Sequence, residues 1–380
     1  MKKNLYLILI TIFLFCGCGK EESLTSIKNI ESLDNLETIT NLSELNTKVD
    51  DNKEIIENTD IININEEKEE NIEEIKTKEI TISFAGDFTI GTYKGQGTSG
   101  TYNEYYDKFG GDYFLKNVRS VFESDDITFV NLEGPITDRL TTVDKKFPIS
   151  CRSEHINVIN NSSIEVCGLS NNHTMDCGID GFNDTINILE QNNIGFCGEG
   201  NIYRKDIDGI IVSCLAYNGW SDSQDLLNKI ENDILNEKEN GANIICVMFH
   251  WGIERDHYNN EIQQRIAYHT IDCGADIVVG AHPHVIQGIE SYKDKTIVYS
   301  LGNFTFGANK NPSDKDTFIF QQRFNITDSI VEYGDYNIIP CSISSEKNIN
   351  NYQPIILDGE NAERVLNRLK EYSKNYNNIF

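Results

Sequence analysis

The sequence predicts an α/β fold whose sheet is covered on both faces, and three observations lead there. Short β-branched runs recur from residue 80 onward, at 80–87, 127–134, 164–173, 210–218, 244–252, 276–284 and 296–304, each bounded by Gly, Asn, Asp or Pro. Helical patterns lie between several of them, as βαβ units require. Polar residues collect where the apolar runs stop, which is where open α/β sheets carry their sites.

The elements follow in order. Lys2 and Lys3 precede an apolar stretch from Leu5 to Phe15, and Cys16-Gly17-Cys18-Gly19 then leads into polar sequence. Eleven apolar residues fall short of the roughly 30 Å of a hydrocarbon core, so residues 1–18 read as a signal peptide rather than a membrane span. Gly17 before Cys18 resembles a bacterial lipobox, which implies acylation of Cys18 and anchoring to the extracytoplasmic face of the cell membrane. Two or more acyl chains, at about 0.8 kcal/mol per buried methylene, suffice for stable anchoring.

Residues 19–79 contain no aromatic residue and no proline, and residues 20–79 sum to a charge of −11. Leucines and isoleucines recur every third residue from Leu24 to Leu45, a period that spirals around a helix instead of facing one core. Such a segment gains too little burial to offset its ordering entropy, so it is expected to be a disordered acidic stalk.

The head is expected to span residues 80–380. Helices are expected at Gly181 to Asn192, at Gln224 to Lys238, at Glu261 to Cys273 with Gly274 as its C-terminal cap, and from Glu360 to about Lys374. The alternating strands after Asp314 are expected to form a second sheet closing against the first. The eight cysteines of the head lie mainly in apolar runs without a CxxC pair, so most are expected to be free, buried thiols.

The strand ends carry Asp87, Glu133, Asn171, Asn172, His173, His250, His282 and His284. The spacing of His282 and His284 places both imidazoles on one face of a strand. Imidazoles, carboxylates and an Asn amide oxygen suit one or two divalent ions such as Mn, Fe or Zn. A carboxylate bridging two ions about 3.5–4 Å apart generates a nucleophilic hydroxide at neutral pH. Glu254 and Asn303 are expected to support the site. His155, His257 and His269 show no partner and read as surface residues. Segment 94–102 is Gly-rich but lacks the P-loop spacing and a following helix, so it reads as a mobile loop beside the Asp87 strand end. Segment 192–200 reads as a helix-to-strand connection.

The motifs GD at Asp87, NLE at Glu133, NNH at His173, HWG at His250 and GAHPHV through YSLGNF, in this order, resemble the CapA family of poly-γ-glutamate capsule synthesis proteins. The resemblance extends over residues 80 to 360. That family is similar to the calcineurin-like metallophosphoesterases, which implies a metal-bearing β-sandwich flanked by helices. Residue by residue, the resemblance implies that Asp87 and His284 ligate a first metal and that Glu133 bridges. Asn172, His250 and His282 would ligate a second metal, and His173 would be the general acid. The chain departs from the phosphoesterase pattern at Thr89, where a His is usual, and at Glu133, where Asp is common.

A charge of −27, from 60 acidic and 33 basic residues, excludes a nucleic-acid binder, which needs clustered Lys and Arg. The resemblance implies an anionic polymer or its membrane-bound synthase as partner, with the lipid on Cys18 as the membrane contact; the acidity of the head would repel such a polymer unless metal or local Lys and Arg compensate. The expected role is support of poly-γ-glutamate capsule synthesis or export as a dinuclear metal-dependent hydrolase. The alternatives are a non-catalytic scaffold of a polymer synthase and a general surface metallophosphoesterase.

Overall fold

A computed structural model describes residues 77–328, 330–376 and 380. The expected signal peptide (1–18), Cys18 and residues 19–76 of the expected stalk lie outside the described residues. Among the described residues, no helix is long and apolar enough to cross a membrane.

The first series runs β1 (Thr77–Thr89), β2 (Thr92–Tyr93), α1 (Tyr102–Phe109), α2 (Asp112–Leu115), α3 (Arg119–Phe122), β3 (Ile127–Leu132), β4 (Ile149–Ser150), α4 (Ile156–Asn160), β5 (Val166–Gly168), α5 (Gly178–Gln191) and β6 (Gly195–Cys197). The second runs β7 (Tyr203–Ile207), β8 (Ile210–Gly219), α6 (Gln224–Glu239), β9 (Ile244–Trp251), α7 (Glu261–Cys273), β10 (Ile277–Ala281), β11 (Ile289–Tyr292) and β12 (Lys295–Val298). The chain closes with β13 (Asn303–Phe306), β14 (Asp316–Thr327), β15 (Ile330–Ser342), β16 (Ile355–Ile356) and α8 (Gly359–Ser373).

Two sheets result. One has the order β16-β15-β14-β1-β3-β5-β6 with β13 paired to β1, and the other the order β11-β12-β10-β9-β8-β7. They face each other across one apolar layer, in which Ile82, Phe84 and Phe129 of the first sheet pack with Val212, Cys214, Met248 and Val279 of the second. The outer face of the first sheet is covered through Tyr102, Phe114, Ile159 and Leu189, and that of the second by Ile230, Ile234, Ile266 and Ile271 of α6 and α7. The expected α/β fold, a β-sandwich flanked by helices, is present.

The expected division of strands was different. The strands after Asp314 do not form the second sheet; β14 extends the first, antiparallel to β1 from Thr77↔Thr327 to Phe84↔Phe320, and β15 adds to β14 in turn. The break falls instead after β6, where Gly198 and Gly200 take positive φ and a Gly198↔Asn201 bridge reverses the chain. Left-handed glycines allow that reversal at no steric cost. The β1 edge is thereby left open for the long hairpin.

Local chemistry places the helix ends close to expectation. Helix α7 starts at a reciprocal Asn260–Gln263 capping box and stops at Gly274, whose φ of 111° only glycine adopts readily. Helix α1 was not expected: Thr101 Oγ1 caps the Glu104 N–H, and Tyr102 and Tyr106 bury against Phe114. The Gly-rich segment before it is tied down, because Gln96 is buried and donates to the Gly307 carbonyl at 2.9 Å. The eight described cysteines are free thiols, and all but Cys273 are buried.

Candidate metal centre

The parallel strands β1, β3, β5, β9 and β10 all end at one rim of the sandwich, and the site forms there. In register, Asp87 lies beside Asn131 and Asn303, while His250 lies beside Asn218 and Ala281. Asp87 reaches its place because β1 bulges between Ala85 and Thr89. The preceding residue must be glycine: a Cβ on Gly86 would lie 1.8 Å from the Gly302 carbonyl oxygen.

Asp87 and Glu133 are both fully buried, at 0% exposure. Asp87 Oδ1 accepts from Asn131 Nδ2 at 2.8 Å, and Oδ2 lies 3.0 Å from His284 Nδ1. Glu133 Oε2 accepts from the Thr89 hydroxyl at 2.8 Å. Its other oxygen, Oε1, is buried and has no hydrogen-bond partner among the described residues. Around that oxygen stand His250 Nε2 at 3.8 Å and the Nε2 atoms of His173 and His284, each at 3.9 Å. These separations are too long for hydrogen bonds and leave a gap bounded by a carboxylate oxygen and three imidazole nitrogens. Ligand atoms of Asp87, Glu133 and His284 lie within 4.8 Å of one another and can hold a metal ion. Burial beside Asp87 raises the Glu133 pKa, an unfavourable state for a carboxylate that a cation would relieve.

The other imidazoles sit close by. His250 Nε2 is 3.0 Å from Asn172 Oδ1 and 3.1 Å from His282 Nδ1. Burial and neighbouring imidazoles hold His250 well below the usual histidine range and bring His282 down to about 4. Burial acts the same way on His284, but Glu133 and Asp87 outweigh it and raise its pKa to about 9. The environments therefore keep two imidazoles neutral, the state in which nitrogen binds a metal.

His173 is held from behind. Its Nδ1 lies 2.5 Å from Asp176 Oδ2, its backbone N–H donates to Asn171 Oδ1, and its Nε2 faces Glu133. Asp176 also accepts from the Ile149 N–H and from Lys145 Nζ. Burial raises the Asp176 pKa, but the His173, Ile149 and Lys145 contacts lower it by more, so it stays ionised. A cavity of about 560 Å³ opens over Glu133, His173 and His284.

With that geometry in place, comparison with known proteins is decisive. The profile described as bacterial capsule synthesis protein PGA_cap matches residues 81–308. The chain belongs to this PGA_cap family. It is 29% identical over 248 residues to the PGA biosynthesis protein CapA of Bacillus subtilis, covering 60% of this chain and 63% of that protein. It is 28% identical over 257 residues to the capsule biosynthesis protein CapA of Bacillus anthracis, covering 61% of each. The match thus spans less than two thirds of either relative's length. A probable polyglutamine synthesis accessory protein of Mycobacterium tuberculosis is 27% identical over 210 residues, 47% of this chain and 55% of that one. Among solved structures, a phosphatase of Mycoplasma pneumoniae aligns with a TM-score of 0.46 at 11% identity, covering 77% of this chain and all of that one.

The PGA_cap fold brings together all seven residues singled out in the sequence: Asp87, Glu133, Asn172, His173, His250, His282 and His284. The local reading of His282 and His284 needs correction. They do not share a strand face; they follow β10 in a turn, with φ of 95° and 58°. Left-handed backbone at two non-glycine residues is strain kept where it aims side chains. Asn303 supports the site as expected, its Oδ1 lying 2.9 Å from His284 Nδ1. Glu254 is exposed at the cavity wall instead of packed behind a ligand.

The three histidines read as surface residues are not free. His155 is fully buried, with Nδ1 2.6 Å from the Ile90 carbonyl and Nε2 accepting from Arg152. His257 stacks on Tyr372, and His269 lies 3.0 Å from the Leu227 carbonyl. Each is brought in by a partner distant in sequence. Three supporting residues were missed, Asn131, Asp176 and Lys145, whereas Asn171 was among the strand-end residues noted in the sequence. Asn131 links Asp87 to His250, Asn171 positions His173, and Asp176 and Lys145 hold the His173 ring. Asn131 had a signal, a polar side chain inside the otherwise apolar run ITFVNL.

Proposed function

We propose that this chain acts in the synthesis or export of an anionic poly-glutamate polymer, as a metal-dependent hydrolase or transferase tethered outside the cytoplasm. The observation that carries the reading is Glu133 Oε1, buried, unpartnered and ringed by three imidazole nitrogens at 3.8–3.9 Å. Asp87, His284 and Glu133 would hold a first divalent ion, Mn, Fe or Zn, and Asn172, His250 and His282 would hold a second. Such ions polarise a scissile phosphoester or amide and lower the pKa of bound water.

The chain's own residues supply the rest. Asp176 accepts from His173 Nδ1 and so turns Nε2 to the cavity, where the ring in its doubly protonated form would deliver the Nε2 proton to the leaving atom. Asn303 and Asp87 fix the His284 ring in the same way, also through Nδ1. Relatives named for poly-glutamate or capsule biosynthesis support the polymer as substrate, and the sequence at Gly17-Cys18 supports a lipid tether.

Metal analysis of the purified chain tests the centre. One to two tightly bound ions per chain are expected, falling on Glu133→Gln and His284→Ala. Fewer than one ion in the unmodified chain removes the hydrolase reading. Turnover is then read on poly-γ-glutamate and on phosphoesters, with loss on His173→Ala. Tethering is read from fractionation, where Cys18→Ser should move the chain from the membrane to the soluble fraction.

A further inference from the structure

The cavity over Glu133 has two cationic side chains that the metal centre does not use. Arg255 and Lys310 both line it, in a chain whose charge from residue 80 onward is −18. Lys310 is fixed by donation to the Ser99 carbonyl at 2.7 Å. Its loop is fixed as well, because Asp314 is bound by Arg368 of α8 at 2.5–2.9 Å.

Arg255 is placed with strain. Its φ of 65° is left-handed, which costs a residue with a Cβ about 1 kcal/mol or more. The turn is held by the Arg255 N–H, which donates to the Pro283 carbonyl at 2.7 Å. Pro283 lies between His282 and His284, so the arginine's backbone is pinned to the turn that carries two of the site's imidazoles. The residue is exposed, and among the described residues its guanidinium has no carboxylate within ion-pair distance. A strained, pinned arginine without an acidic partner at the wall of a site is placed for a ligand rather than for the fold.

We propose that Arg255, together with Lys310, is the anion-recognition element of this cavity, binding an oxyanion of the ligand away from the bond that reacts. The ligand class is an extended molecule with carboxylate or phosphate groups beside the scissile one. Exposed Glu254, on the same wall, opposes this binding and limits its strength. The inference rests on the proposed polymer function for its choice of ligand, but not on catalysis.

The test is equilibrium binding to the full-length, Mn-loaded chain. The probes are an oligo-γ-glutamate, its neutral oligo-γ-glutamine counterpart and tripolyphosphate. Arg255→Gln is expected to weaken oligo-γ-glutamate binding about tenfold and leave oligo-γ-glutamine unchanged, with Arg255→Lys retaining part of the affinity. Glu254→Gln is expected to strengthen it. Weakening only for tripolyphosphate assigns the oxyanion to phosphate. Equal effects on the charged and neutral oligomers, or none on any probe, overturn the proposal. Because binding is read without turnover, an inactive but Arg255-dependent chain refutes the hydrolase reading alone. Unchanged metal content and melting temperature in the variants confirm that the fold is intact.

Discussion

The Thr89 hydroxyl donates to Glu133 Oε2 at 2.8 Å, with both side chains fully buried. Thr89 thereby binds the oxygen of Glu133 other than the one that stands 3.8–3.9 Å from the three imidazole nitrogens. In this chain the position orients the central carboxylate, so that Oε1 alone turns toward the imidazoles.

Thr89→Val keeps the shape and removes that donor. Leaving a buried carboxylate oxygen unsatisfied should cost about 1–3 kcal/mol of stability in the metal-free chain. Loss of orientation should weaken metal affinity about 10-fold, and Thr89→Ser should restore it. Denaturant unfolding with and without Mn, beside competitive metal titration, reads both effects. A Val variant that binds metal as tightly as the parent refutes the orienting role.

The strand ends were legible because each run of apolar, β-branched residues stops at a polar one, and parallel strands end on one rim. Asp87, Glu133 and His250 are placed by that rule alone. The partition into two sheets was not legible, since β14 pairs with β1 across more than two hundred residues and no local pattern encodes the choice. Lys145 and Asp176 were hidden for the same reason: Lys145 belongs to a loop whose return to His173 depends on Asp176 accepting from Ile149 and Lys145. His155 carried no sequence signal, because its partners Ile90 and Arg152 become neighbours only on folding.

Asp125 is a stability defect at neutral pH. Burial pushes its carboxyl up to about 7, against contacts from Ser83 and Thr128, and its Oδ1 is buried without a hydrogen-bond partner. A raised acid pKa contributes stability below the unfolded value of 3.8 and loses it as pH rises through about 7. Asp125→Asn preserves the Thr128 contact without the ionisation. It should stabilise the chain by about 1–3 kcal/mol at pH 8 and be near neutral at pH 4. Urea titrations at the two pH values measure this, and an equal effect at both contradicts it.

His155 acts in the opposite direction. Burial and Arg152 hold its pKa down to about 4, against the raising effect of the Ile90 carbonyl, from an ordinary 6.5. The unfolded chain then binds the proton more readily, so stability is full above pH 6.5 and falls as pH drops toward 4. Between pH 7.5 and 5 the loss from this residue should be about 2 kcal/mol. His250 and His282 add to the slope in the same sense, so the comparison must be with a variant. His155→Gln should be less stable at pH 7.5 but have a visibly shallower pH slope. A parallel slope removes His155 from the acid response.

Asp176→Asn separates positioning from binding at the centre. Asp176 touches none of the proposed metal ligands' nitrogen atoms; it acts on His173 Nδ1, on Lys145 and on the Ile149 N–H. An amide keeps a hydrogen bond to Nδ1 but can pair with the ring in either tautomer, so it no longer obliges Nδ1 to be the donor. Turnover should therefore fall about 10- to 100-fold through kcat, with KM and metal content little changed. Stability should drop by about 1–3 kcal/mol, since the Lys145 ammonium loses its charged partner at a largely buried position. Lys145→Gln in the same background should recover part of that stability without recovering kcat. If Asp176→Asn lowers metal occupancy in step with turnover, Asp176 supports the metal centre and His173 is not the group it serves.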